Sequence, residues 1–166
     1  MNIEVPVRLY IFDADGTLRR TTVEGLPCPN LPGEWELIPG VRERLGRIDW
    51  SEGGARFGVA TNQGGVGLGY LSLAAAQSLL EEMVIEAFGV RAPPPGSIEI
   101  CPHAPHLGCS CRKPNPEMLI RLMQRFGARP DETLFVGDMD KDEGAARAAG
   151  TRFKWADEFF ERPGAA

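Results

Sequence analysis

"VRLYIFDADGTL", residues 7–18, runs from an apolar segment into two aspartates two positions apart, followed by Gly-Thr. Residues 7–12 predict a short strand buried on both faces, ending at Asp13. In an extended chain, residues two apart point the same way, so Asp13 and Asp15 can serve one site. Gly16 permits the sharp turn that follows. One carboxylate can then act on a substrate while the other handles protons. The same letters also suit an ordinary Asp-Gly turn, so the rest of the chain has to decide.

Further apolar runs follow: "RFGVAT" (56–61) ending at Thr61, "SIEIC" (97–101), "TLFVG" (133–137) running into Asp138, and a weaker "TRFKW" (151–155). Helical patterns lie at 40–48, at 72–88 with Ser72 as N-cap and Gly89 as stop, at 116–126 and at 141–149. Strands alternating with helices predict an α/β fold, a Rossmann-like parallel sheet with helices on both faces. Right-handed crossovers place the carboxyl ends of the strands on one edge, where ligands bind. Asp13, Thr61 and Asp138 are expected to meet there. Residues 19–39 have room for a loop or small flap and not for a large cap domain. A single domain over residues 1–166 is expected.

The net charge of −5 argues against a broad nucleic-acid-binding face. No apolar run nears the roughly 20 residues of a membrane helix. The first residues, "MNIEVPVRLYIFD", lack the order of a signal peptide. A cytoplasmic protein, a monomer, is the expectation, with its four cysteines reduced.

That makes "CPHAPHLGCSCRKPNP" (101–116) informative. Cys101, His103, Cys109 and Cys111 supply three thiols and an imidazole at the spacing of a tetrahedral Zn²⁺ site. Four protein ligands close the site, so the zinc is expected to be structural. His106 is a spare that could replace His103 or sit in solvent. The zinc loop, 101–111, would fix a chain with little apolar content and place Arg112 and Lys113 at the strand-end edge. Cys28 lacks partner spacing and is expected to pack as a small apolar residue.

Four stretches in order, "DADGT" (13–17), "VATNQ" (59–63), "CRKP" (111–114) and "VGDMDKD" (136–142), resemble the motifs of the haloacid dehalogenase superfamily of phosphohydrolases. Seen singly, Asp138 and Asp142 could cap a helix, Thr61 and Asn62 could form a turn, and Lys113 could be a surface charge. The resemblance implies a Mg²⁺-dependent phosphomonoesterase acting on a small phosphorylated metabolite through an aspartyl-phosphate. It makes Asp13 the nucleophile, Asp15 the acid and base, and Thr61 and Lys113 the partners of the transferring group. Mg²⁺ would be held by Asp13, the Asp15 backbone carbonyl and Asp138, with Asp142 orienting the metal's surroundings or Lys113. The zinc loop together with these motifs is similar to the branch of histidinol-phosphate phosphatases and heptose bisphosphate phosphatases, the short loop standing nearer the former. There Asn62 and Arg112 would join Lys113 on the substrate phosphate. Ala14 departs from that branch, which usually has Arg between the two aspartates, and Leu68 lies near where the heptose enzymes tend to carry Arg. Arg19 and Arg20 could attract an anionic substrate or simply be solvated. The alternatives are a nucleic-acid 3′-end phosphatase, disfavoured by charge, and a non-catalytic, zinc-stabilised binding domain.

Overall fold

The computed structural model describes residues 3–164. Five parallel strands form the central sheet: β1 (Leu9–Phe12), β4 (Arg56–Asn62), β5 (Ile98–Cys101), β6 (Thr133–Gly137) and β7 (Arg152–Trp155). Their order is β5-β4-β1-β6-β7. The chain passes from β1 to β4 and β5 on one side, then crosses to β6 and β7 on the other. The topological switch therefore falls at the carboxyl end of β1, where open α/β sheets bind ligands. Phe12 pairs in register with Val59 on one side and Val136 on the other, so Asp13 emerges between two neighbouring strand ends.

β1 shows why a short apolar run suffices. Phe12 packs into a core with Val59, Leu80, Met83, Val136 and Phe159. Leu9 and Ile11 point to the opposite core, among Ala60, Leu122, Phe135 and Ala146. The first face is covered by α3 (Leu73–Phe88) and the short helices α1 (Val41–Leu45) and α6 (Ala156–Phe159). The second is covered by α4 (Glu117–Phe126) and α5 (Asp140–Ala149). Both faces of the strand are apolar because both are buried.

Most predicted elements form within a residue or two of their expected ends. Ser72 caps α3, its hydroxyl accepting from the Ala75 N–H at 3.0 Å. The segment predicted as a helix over 40–48 is shorter. It stops at Gly46, beyond which Arg47 and Ile48 make only three-residue turns to Arg44 and Leu45. Two four-residue helices, α2 (Gly64–Gly67) and α6, had no periodic signal to betray them. Between β1 and α1 the chain makes a small flap, the antiparallel pair β2 (Arg19–Thr21) and β3 (Trp35–Leu37). No helix among the described residues is long and apolar enough to cross a membrane.

Candidate active site

The strand-end residues converge as expected, and a lysine joins them. Lys113 Nζ donates to Asp13 Oδ1 and Asp142 Oδ1, each at 2.7 Å, and to the Ala60 carbonyl at 2.9 Å. It is 1% exposed. This buried ammonium has all three protons assigned. Burial alone would lower its pKa, but Asp13 and Asp142 more than offset that and hold it above the ordinary lysine value. Asp142 uses its other oxygen to accept the backbone N–H groups of Asp138 and Met139, both at 3.1 Å. It thereby ties the loop after β6 to Lys113.

Carboxylate oxygens of Asp13, Asp138 and Asp142 lie within 4.8 Å of one another. Burial pushes the Asp13 carboxyl well above its usual range; Lys113 pulls it back and Asp142 pushes it further. Asp138 is raised too, first by burial and then by Asp142, with Asp13 opposing. Crowded carboxyls of this kind suit a hard divalent cation. Asp142 is spoken for on both oxygens, which leaves Asp13 and Asp138 as the side chains with ligand capacity. Gly16 makes the approach of Asp138 feasible. Its φ of +85° favours glycine, and a methyl group there would run into the Asp138 carboxylate.

Asp15 sits in a clamp of its own. Arg19 Nε donates to Asp15 Oδ1 at 2.8 Å, and its Nη2 reaches Oδ2 at 3.3 Å. Gln63 Nε2 donates to Asp15 Oδ2 at 2.9 Å and to the Thr61 hydroxyl oxygen at 2.8 Å. The Thr61 hydroxyl keeps its own proton for another acceptor. Asn62 spans the backbone of Lys113, donating to its carbonyl at 3.2 Å and accepting its N–H at 3.0 Å. Its amide is first a clamp on the lysine loop, with one N–H left over. Arg112 lines the same cavity, of about 390 Å³, together with Asp13, Asp15, Thr61 and Asp138.

The cysteine loop closes on itself beside this site. Donor atoms of Cys101, His103, Cys109 and Cys111 all lie within 4.8 Å of one another. The separations run from 3.0 Å between Cys111 and Cys101 to 3.8 Å between Cys111 and Cys109, with His103 offering Nδ1. A tetrahedral thiolate site has S–S edges of about 3.8 Å, so the donors need only small shifts to hold a metal. Burial raises the Cys101 and Cys111 thiols, the latter to about 12. For Cys109 burial pushes the thiol up, but hydrogen bonds from Cys101, the Arg112 backbone and Cys111 together outweigh it, bringing it down to about 7. His106 is exposed in a 3₁₀ turn, Pro105–Leu107, and does not join the cluster.

Comparison with known proteins decides the family. Residues 110–155 match the model of a hydrolase-like family described as HAD-hydrolase-like. Over 143 residues the chain is 37% identical to the D-glycero-beta-D-manno-heptose-1,7-bisphosphate 7-phosphatase of Pseudomonas aeruginosa, covering 84% of this chain and 75% of the relative. This chain belongs to the haloacid dehalogenase superfamily of phosphatases. The enzyme of the same name from Pseudomonas putida is 34% identical over 149 residues, 88% of this chain and 80% of that one. Among solved structures, the D,D-heptose 1,7-bisphosphate phosphatase of B. bronchiseptica, complexed with magnesium and phosphate, superposes with a TM-score of 0.74 at 26% identity. That match covers 96% of this chain and 89% of the other.

Within this superfamily site, the sequence reading needs two corrections, at Arg19 and Cys28. Arg19 is neither solvated nor free for a substrate: it is 1% exposed and committed to Asp15. Arg20 is solvated, one of its two expected roles, and pairs with Glu36 across the flap at 2.7 Å. Cys28 is not packed away in a core; it is partly exposed on the cavity wall. Two supporting residues escaped notice. Gln63 carried a signal, since it lies two positions beyond Thr61 at the end of β4 and so shares its side. Arg162 carried none: from near the other terminus its guanidinium donates to the Gly16 and Thr17 carbonyls and braces the Asp13–Thr17 turn.

Proposed function

We propose that this phosphatase is a Mg²⁺-dependent phosphomonoesterase whose substrate is a phosphorylated sugar. The observation that carries the reading is the buried Lys113 bridging Asp13 and Asp142 at the switch point of the sheet, with Asp138 alongside. The relatives reported above favour the sugar phosphates over histidinol phosphate, the class nearer by loop length. They also disfavour a nucleic-acid end as substrate. A non-catalytic binding role fits poorly with a site in which Asp13, Lys113 and Asp142 form an intact, buried and fully paired cluster.

Lys113 holds Oδ1 of Asp13, leaving Oδ2 as the attacking atom. A bond forms from Oδ2 to phosphorus while the bond to the leaving oxygen breaks, giving an aspartyl-phosphate. Asp15 delivers a proton to the leaving oxygen, then takes one from the water that releases phosphate. Arg19 and Gln63 hold its carboxylate in one orientation for both steps. The Thr61 hydroxyl donates to the phosphoryl group, Arg112 and the spare Asn62 N–H contact its oxygens, and Lys113 offsets the charge that develops. Asp13, Asp138 and the Asp15 backbone carbonyl would hold Mg²⁺, which supplies the charge that lets a phosphate dianion approach three carboxylates. Cys101, His103, Cys109 and Cys111 would hold a structural Zn²⁺ that fixes Arg112 and Lys113 in place. Residues 1–166 act as one catalytic unit, since the site members all gather at the carboxyl edge of one central sheet.

Incubation with p-nitrophenyl phosphate, with and without Mg²⁺, tests the reading. Mg²⁺-dependent turnover is expected, lost by at least about a thousandfold in Asp13→Asn. No turnover of this or of any sugar phosphate, or undiminished turnover by the variant, would refute it.

A further inference from the structure

The cavity is charged at one end only. Among the described residues that line it, Arg112 and Lys141 alone are positively charged. Both belong to the phosphoryl end. Arg112 directly precedes Lys113, and its Nη1 lies 3.3 Å from where a side chain on Gly64 would begin, just beyond the Thr61–Asn62 strand end. Lys141 lies in the first turn of α5, three residues after Asp138. The outward wall is different. It includes Leu26, Pro27 and Cys28 from the flap loop and Leu68 and Tyr70 from the segment after α2, with Asn30 as a neutral polar member. Leu68 and Tyr70 line the cavity and are 48% and 66% exposed.

Near the reacting centre Lys113 is spent on Asp13 and Asp142, and Arg19 on Asp15. Arg112, whose Nη1 is buried without a hydrogen-bond partner among the described residues, is left for the phosphoryl group. A second phosphate would extend along the apolar wall with no cation to meet it and would lose hydration there. A wall that rejects through an unmet charge is a specificity device as much as one that attracts.

Resting on the phosphatase reading above, we propose that this enzyme selects esters carrying a single phosphate on an uncharged body, with Leu68 and Tyr70 as the residues that disfavour a second phosphate. It thereby parts from the bisphosphate specificity in the names of its relatives. The apolar wall receives the face of the sugar or other neutral body, and the scissile phosphate is the only anionic group the site accommodates.

The test uses glucose 6-phosphate and glucose 1,6-bisphosphate with the full chain and Mg²⁺. The monophosphate is expected to have a kcat/KM at least about tenfold higher, a partly screened charge effect. A second readout avoids turnover: calorimetric binding of both probes to Asp13→Asn should show the same order. Leu68→Arg should raise the ratio of bisphosphate to monophosphate efficiency by about tenfold. Equal or tighter binding of the bisphosphate, or an unchanged ratio in Leu68→Arg, overturns the proposal. If p-nitrophenyl phosphate is turned over and the bisphosphate is preferred, the wall reading fails while the phosphatase reading stands. If nothing is turned over, the phosphatase reading fails, and the binding comparison still decides the wall.

Discussion

Replacing Lys113 by Met removes an ammonium from a buried cluster of carboxylates. Its two partners sit at 2.7 Å, and side-chain exposure is 1% for Lys113, 10% for Asp13 and 0% for Asp142. Met approximates the volume of the lysine stem, so packing changes little. What remains is two buried carboxyls facing each other and an Ala60 carbonyl without its donor. Breaking a buried pair in this way costs about 3–5 kcal/mol, because the uncompensated charge outweighs the lost attraction. For a chain of this size, about 2–4 °C per kcal/mol gives a fall in melting temperature of roughly 6–20 °C. Urea unfolding followed by circular dichroism, with Mg²⁺ omitted, measures it. Adding Asp142→Asn should recover at least about 1 kcal/mol, since the amide oxygen still accepts from Asp138 and Met139 while one charge is gone. Turnover should stay absent in both variants. A single variant within about 1 kcal/mol of the parent, or a double variant no more stable than the single, would show that Lys113 is not the obligate counterion.

Three other outcomes are expected. Gly16→Ala places a methyl against the Asp138 carboxylate at a φ of +85°; it should destabilise by more than about 1 kcal/mol and raise the Mg²⁺ concentration needed for half-maximal turnover. Arg19→Met removes the bidentate partner of Asp15 and should cost about 2 kcal/mol, below the usual loss for a buried pair because the Asp15 side chain is 19% exposed to water. Its kcat should fall more than its KM rises, and a KM effect alone would argue against a positioning role. Zinc should be present at about one equivalent per chain at pH 8 and be lost in Cys109→Ser. Protons compete with metal for thiols, so retention should fall as pH drops below about 7, the value reached by Cys109, while Cys101 and Cys111 with their raised pKa values add to the competition. Elemental analysis after dialysis at pH 8 and pH 5 checks this, and equal zinc at both would contradict it.

Much of this protein is written in short-range pattern. Alternating apolar runs and capped helices determine a parallel sheet, and a parallel sheet brings Asp13, Thr61 and Asp138 to one edge whatever the loops do. Cys101, His103, Cys109 and Cys111 are likewise legible, because ligands within eleven residues need little help from the fold to meet. Only the tertiary structure decided which charges are buried. Lys113 lies 100 residues from Asp13 and 29 from Asp142, and nothing in a lysine's own neighbourhood tells a surface charge from a buried counterion. Arg19 could be read as a substrate contact or a solvated charge, yet the turn at Gly16 folds it back onto Asp15. The apolar wall of Cys28, Leu68 and Tyr70 comes from two segments about 40 residues apart. Periodicity reports which face of an element meets the core. Burial of a charge, and the polarity of a cavity wall, depend on which distant segments pack together, and those contacts exist only once the chain has folded.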